Sequence, residues 1–487
     1  MKAEHFAVSA EKLKGRFYTP KIIVDNILDL SGYYGQEILN KHVMDNSCGN
    51  GAFLVAVVDR YCKEFLKVSS ELSTLAKELS INIHGIEIDA IESKRCIENL
   101  NSVVKKYGLN KIDWDITCAD ALSVDIYNGK IDYVLGNPPY VRVHNFGNSL
   151  EKIKNFSFSQ KGMTDLYIVF YEIGLKMLNE NGVLGYITPS SFFNSIAGKY
   201  MRQYMINYNL LDKVVNLKHF QAFDTTTYTA IAILRKNRNS NTTEYYQFEN
   251  NTPYYVDALS VADYYIGDKF YFSDKEELCK LKNILNFKSS VNHFFVKNGF
   301  ATLADDLFIG DFGFDEFTIP VVKASTGKQY KCIFPYSEGK LVPYKVLTAN
   351  LSIRKHFETY KELLSKRSIE RNGDWYGFGR SQGINDVYRC KYAINALIRT
   401  PFDLKLIKCK EGVGVYSGLY ILTEVEETEL KEMLYSEDFI SYIALLGKYK
   451  SGGYYTFSSK DLKNYLEYKY AQRNGLDNEQ FSIFNYS

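Results

Sequence analysis

The sequence has no Cys-x-x-Cys pair, and its eight cysteines stand singly with no histidine cluster nearby. A structural zinc site is therefore not expected, and no metal is assigned. The thiols read as reduced and mostly buried, as in a cytoplasmic protein. No stretch approaches the ~18 uninterrupted apolar residues of a membrane span, so no membrane partner is expected. Met1 to Gly15 mixes charged and polar residues and lacks the apolar core of a signal peptide. No internal repeat is visible. Net charge is also scarce: 59 Lys and Arg against 57 Asp and Glu leave +2, which by itself does not point to a polyanion.

What is present is size, aromatic content and an uneven charge distribution. At 487 residues the chain is too long for one ordinary domain. Its 40 Tyr and 31 Phe are core material for the most part, and also the residues that stack on nucleobases. Between Val321 and Lys410 there are 18 Lys and Arg against 7 Asp and Glu, a local +11 that leaves −9 for the rest. A basic segment set in an acidic chain is the footprint of a polyanion-binding surface, although a solvated face would read the same way.

The first half alternates short apolar runs with amphipathic stretches, the pattern of an α/β doubly wound parallel sheet. Strands are expected at His42 to Asp45, Ile81 to Ile88, Ile131 to Gly136, Val183 to Ile187 and Thr229 to Leu234, with a helix from Ala52 to Phe65. Lys236 to Thr243 is wholly polar and marks a loop near a domain boundary, placed here at 245/246. Beyond residue 250 the alternation fades, and an α+β second domain, 246–487, is expected.

Asp45-Asn46-Ser47-Cys48-Gly49-Asn50-Gly51 lies between a strand and a helix. Its glycines permit a tight turn and close approach of a ligand, and in an open α/β sheet ligands sit at the carboxyl ends of strands. The second strand ends Gly85-Ile86-Glu87-Ile88-Asp89, where an acid is placed to grip ribose hydroxyls. Asp120, in Ala119-Asp120-Ala121, is a third acid, suited to accept from an adenine amine. Singly each reads as a solvated loop acid; together they fit adenosine joined to an amino acid. Asn137-Pro138-Pro139-Tyr140 directly follows the strand Ile131 to Gly136. Two prolines fix φ and cannot extend a ladder, so the Asn137 side-chain oxygen and the Pro138 carbonyl become acceptors aimed at one point. Methyl transfer to an aromatic amine needs that arrangement, because accepting both amine hydrogens favours a pyramidal nitrogen with a reactive lone pair. Tyr140 offers a flat stacking surface.

These motifs, in this order, resemble the gamma-class N6-adenine DNA methyltransferases of restriction-modification systems. Phe17-Tyr18-Thr19-Pro20 looks like that family's N-terminal motif against the cofactor. Asp45 to Gly51 is similar to its cofactor loop, with Asn46 and Asn50 in place of the commoner Pro and Ser. The resemblance implies S-adenosylmethionine as cofactor, held by Tyr18, Thr19, Asp45, Cys48, Gly49, Gly51, Glu87, Ile88, Asp120, Ala121, Asn137 and Pro139. It implies Asn137, Pro138, Pro139 and Tyr140 as the catalytic segment, Asp165-Leu166-Tyr167 as a helix start packed on the cofactor site, and Phe223 as the aromatic against the target adenine, a residue that reads equally well as core. Residues 1–245 would be the catalytic domain and 246–487 a target-recognition domain. Within the latter Lys361, Arg367, Arg371, Trp375 and Arg380 are the candidate DNA contacts. The implied partner is double-stranded DNA, bound by a monomer acting in the bacterial cytoplasm, with a cognate restriction endonuclease encoded nearby left open.

Two other readings stay open. A methyltransferase acting on a protein glutamine amide poses the same lone-pair problem at Asn-Pro-Pro-Tyr, but such enzymes are much shorter and lack a large basic C-terminal half. A non-catalytic DNA-binding subunit is opposed by the intact acids and glycines. A fused nuclease is not expected, because the cofactor motif begins at Phe17 and no metal-binding carboxylate cluster follows.

Overall fold

The computed structural model describes residues 19–142, 150–223, 227–370 and 373–476. It divides into two compact units, Met1–Cys279 and Lys280–Ser487. The first is built on a nine-stranded sheet: β1 (Val43–Asp45), β2 (Ile83–Glu87), β3 (Asp115–Cys118), β4 (Ile131–Gly136), β5 (Leu178–Pro189), β6 (Leu211–Asn216), β7 (Thr229–Arg235), β8 (Thr242–Glu249) and β9 (Thr252–Ser260). The strands lie in the order β3-β2-β1-β4-β5-β7-β6-β8-β9. β3, β2, β1, β4 and β5 are parallel, and β7 is antiparallel to both neighbours, β5 and β6. The direction of winding reverses between β1 and β4, which makes their carboxyl ends a topological switch point.

The central strands are buried on both faces and therefore read as unbroken apolar runs. Ala230 to Leu234 of β7 are all at 0% exposure, and that is why this strand lacks the inside-outside alternation of an edge. The helix Ala52–Val68 buries one stripe, Phe53, Leu54, Val57, Val58, Tyr61, Cys62 and Phe65, at helical spacing. The helix Leu166–Met177 is buried at every position but Lys176, so its sequence shows no stripe at all. It packs tightly on the sheet at Gly174, where a Cβ would stand 2.6 Å from Leu184 Cδ1.

Two expectations about boundaries need correcting. The helix Leu72–Asn82 includes Ile81, which is half exposed, and β2 begins only at Ile83. The domain division falls at Cys279/Lys280 rather than 245/246. The polar stretch after β7 is a connection inside the sheet, since β8 pairs with β6 in parallel and β9 closes the edge. An edge strand needs little apolar surface, and β9 is largely exposed, so it looks like linker in the sequence.

The second unit mixes small sheets and helices. Phe295–Asn298, Leu419–Leu422, Lys391–Ile394 and Leu406–Cys409 form one antiparallel sheet in that order. Lys328–Ile333, Thr318–Lys323 and Gly414–Tyr416 form another. The helix Leu351–Ser365 contributes Ile353, Phe357 and Leu364 to an aromatic core with Phe300, Phe308, Phe334 and Phe378. Among the described residues no helix is long and apolar enough to cross a membrane.

Candidate functional site

The switch point gathers residues from four strand ends. The amide of Gly49, in the loop after β1, donates to Glu87 Oε2 at 2.9 Å, and the Asp89 amide donates to Oε1 at 2.9 Å. The Ala119 amide donates to the Glu87 carbonyl at 3.0 Å, which sets the end of β3 beside the end of β2. Gly51 has φ +88°, in the left-handed region that favours glycine, and starts the helix that follows. Between β1 and β4 the fit is closer still: a Cβ on Gly136 would lie 2.7 Å from Asp45 Oδ1.

Asp45 is 2% exposed. Burial pushes its carboxyl up to about 7, the nearby Glu87 charge adds to the rise, and the Ser47 amide, 3.1 Å from Oδ1, opposes it. A buried acid of this kind is a place for a cationic or amino group of a ligand. Asn46 is held by the buried Tyr186, whose hydroxyl donates to Asn46 Oδ1 at 2.9 Å. Tyr186 carries no signal in the sequence, because nothing local marks a contact spanning 140 residues.

Asn137 follows β4 directly. Its side-chain amide donates to Thr19 Oγ1 at 3.1 Å, which turns the amide oxygen away from Thr19. Ser47 Oγ donates to the Asn137 carbonyl at 3.4 Å, joining the Asn-Pro-Pro-Tyr turn to the loop after β1. Tyr140 is anchored at its far end, where the hydroxyl donates to the Ile187 carbonyl at 3.0 Å. Its ring meets Phe223 at 6.0 Å and 77°, and Tyr167 at 6.3 Å and 81°. Burial raises the Tyr140 phenol well above its ordinary value, so it stays neutral.

Thr19, Asp45, Gly49, Gly51, Glu87 and Asn137 are thus brought to one edge. Cys48 is buried beneath the loop, Ala121 is buried, and Ile88 is 70% exposed at the rim. Asp120 caps the turn Ala121–Ser123 through the Leu122 amide, and its other oxygen pairs with Lys152 Nζ at 3.1 Å. Tyr18 and Arg371 lie outside the described residues. A cavity of about 580 Å³, lined by Phe158, Glu172, Lys176, Tyr204 and Lys236, opens at the opposite, amino-terminal edge of β4 and β5. Its lysines are committed, Lys176 to Glu172 and Lys236 to the Leu178 carbonyl.

In the second unit the basic-aromatic stretch separates into two kinds of residue. Arg367 donates to the carbonyls of Leu364, Thr302, Trp375 and Gly377 and lies over the Phe308 ring at 5.1 Å. Its guanidinium is spent on the scaffold. Trp375 packs against Tyr344, Phe357 and Tyr376, as part of the core. Lys361 and Arg380 are exposed, Lys361 with Nζ 5.4 Å from the Trp375 ring centre and Arg380 tied to the Ser368 and Gly379 carbonyls.

An open sheet with this winding, and with acids and an Asn-Pro-Pro-Tyr turn at its switch point, defines a Rossmann-like methyltransferase fold. Residues 57–223 match the family model described as Eco57I restriction-modification methylase. The Type II methyltransferase M.BstVI of Geobacillus stearothermophilus is 33% identical over 239 residues, 46% of this chain and 42% of that protein. The Type II restriction enzyme and methyltransferase RM.Eco57I of Escherichia coli is 24% identical over 453 residues, 72% of this chain and 45% of that one. The chain therefore matches less than half the length of either relative. The Type IIL restriction-modification enzyme MmeI, solved in complex with DNA, shares the fold with a TM-score of 0.62 and 13% identity, over 90% of this chain and 63% of its own.

Proposed function

We propose that this chain is a DNA methyltransferase that transfers a methyl group from S-adenosylmethionine to N6 of an adenine turned out of duplex DNA. The observation that carries this reading is the Asn137-Pro138-Pro139-Tyr140 turn at the carboxyl end of β4, with the Asn137 amide oriented by Thr19. The donor set suits the cofactor. Buried Asp45 would hold a cationic amino-acid end, Glu87 the ribose hydroxyls, and Asp120 with Ala121 and Ile88 the adenine. When bound, S-adenosylmethionine supplies an electrophilic methyl on its sulfonium.

The remaining work falls to the chain's own side chains. The Asn137 side-chain oxygen and the Pro138 carbonyl accept the two hydrogens of the target amine and keep its lone pair out of the ring, so positioned acceptors replace a strong base. A base stacked on Tyr140 would meet the Phe223 ring nearly perpendicular, a favourable aromatic arrangement. An exocyclic amine cannot be reached within the helix, so the base must leave the stack. The basic stretch from Val321 to Lys410 supplies phosphate contacts, with Lys361 and Arg380 as exposed candidates. The relatives' methyltransferase activity and the DNA bound to MmeI support the same reading.

The test is single-molecule sequencing, with modified-base detection, of plasmid DNA from a host lacking its own adenine methylation. N6-methyladenine in one short motif is expected, and Asn137→Ala should abolish it while cofactor affinity is largely retained. Unmodified DNA from folded, cofactor-binding protein, or methylation that survives Asn137→Ala, would overturn the proposal.

A further inference from the structure

Turning a base out of a duplex leaves a gap in the stack, and proteins that open DNA frequently fill such gaps with apolar side chains. Two exposed apolar residues lie near the Tyr140 segment: Met163 at 70% exposure, two residues before Asp165, which bridges to Arg142, and Ile196 at 73%, on a turn packed against Gly162. Scattered surface apolar residues are ordinary and need no explanation. Ile196 differs in how it is held. The turn that carries it, between Ser190–Phe193 and the helix Lys199–Asn207, is clamped by Arg202, which is 2% exposed. Arg202 Nη1 donates to the carbonyls of Phe192 at 2.6 Å and Ser195 at 2.9 Å, and Nε donates to that of Asp268 at 2.8 Å. The Gly198 amide adds a bond to Ser195 Oγ at 3.2 Å. A buried guanidinium is thus spent on presenting one stiff, β-branched side chain to solvent.

The neighbouring loop is pressed against it, since a Cβ on Gly162 would lie 3.3 Å from Ile196 Cγ2 and 3.2 Å from the Ala197 nitrogen. The loop carrying Met163 is linked to the Tyr140 segment by a backbone bond, and the turn carrying Ile196 reaches it through Tyr167, whose ring meets that of Tyr140. Ser191 Oγ lies 3.1 Å from the Tyr167 hydroxyl, and the Leu166 amide donates to the Val141 carbonyl at 2.9 Å. Two exposed cations, Arg142 and Lys161, stand on the same segments, where phosphates flanking an opened base pair would need them.

We infer that Ile196, with Met163 beside it, is the apolar wedge that occupies the gap left when the target base turns out. This rests on the DNA-methylation reading above. The experiment uses the full chain and a duplex containing the motif identified by sequencing. Single-turnover methylation is compared on the matched duplex and on one with an abasic site opposite the target adenine, where no partner base is left to restack. Ile196→Ala should slow the matched duplex by roughly tenfold, come close to the unsubstituted protein on the abasic-opposed duplex, and leave cofactor affinity unchanged, while Ile196→Leu restores the matched rate. An unchanged matched rate, or an equal loss on both duplexes, would overturn the wedge and leave the methylation reading intact. If the unsubstituted chain methylates neither duplex, the methylation reading falls and the wedge with it.

Discussion

Glu87, at the end of β2, accepts the backbone amide of Gly49 at 2.9 Å and so ties the loop after β1 to the neighbouring strand. The same carboxylate holds the Asp89 amide, which leads into the helix Ala90–Lys105. One side chain therefore shapes both walls of the candidate cofactor site.

Glu87→Ala removes the acceptor of two amides at once. A bond to a charged group is worth about 1.5–3 kcal/mol, so losing the one ribose contact proposed for Glu87 should lower affinity for S-adenosylmethionine by roughly ten- to a hundredfold. Glu87→Gln keeps an acceptor oxygen and should lose less. Titration calorimetry of both variants checks this, and unchanged affinity in Glu87→Ala would sink the assigned role.

Asp45 gives a pH dependence. With its carboxyl pushed up to about 7, the folded chain keeps a proton that the unfolded chain releases near the ordinary carboxylate value. The contribution of Asp45 to stability should therefore fall as pH rises across that window and level off above 7. A cationic ligand prefers the ionised acid, so cofactor affinity should climb with pH, by up to about tenfold per unit, until the same point. Asp45→Asn should flatten both profiles. Melting curves and binding titrations from pH 5 to 8 read them out, and parallel profiles for the two proteins would contradict the assignment.

At the opposite edge of the sheet, His84 lies between His42, 2.9 Å away, and Asp115, 2.7 Å away, and Tyr127 also donates to Asp115. Burial lowers the His84 imidazole below its ordinary value in spite of Asp115, with His42 adding to the fall. A lowered histidine is neutral in the fold and charged in the unfolded chain, so its contribution is present above the unfolded value and lost as pH falls below it. Measured against His84→Gln, the unsubstituted chain should lose melting temperature between pH 7.5 and 5.5, a comparison that cancels the Asp45 contribution of opposite sign. An identical drop in the variant would place the acid sensitivity elsewhere.

The two classes of arginine in the second unit are separable. Arg367→Ala leaves four carbonyls without their donor and should cost about 3 kcal/mol of stability, seen by denaturant unfolding. Lys361→Ala and Arg380→Ala should change stability by less than about 0.5 kcal/mol. If these two meet phosphates, each lowers the salt slope of DNA binding by about 1. A stable Arg367→Ala protein with weakened DNA binding would reverse the division.

Much of the switch point is legible in the amino-acid order. A Gly-rich loop, an acid after β2 and Asn-Pro-Pro-Tyr after β4 all lie immediately beyond strands, where backbone constraints are local and the residue types announce themselves. Strands buried on both faces, such as β7, are equally plain. The edge strands β8 and β9 are not, because a half-exposed edge and a linker share a polar composition. Arg367 and Arg380 look alike in the sequence, since a guanidinium carries no mark of whether it will be drawn in among four carbonyls or stay exposed with two.

The sequence alone determined the doubly wound α/β class, the order of the motifs and the identity of the switch-point residues, because each depends on a few consecutive amino acids. Only the tertiary structure decided that Thr19 orients Asn137, that Tyr186 secures Asn46, that Arg367 belongs to the scaffold and that Arg202 presents Ile196. Those are contacts between side chains and partners in other elements, and their energies depend on burial and distance, which exist only once the chain has folded.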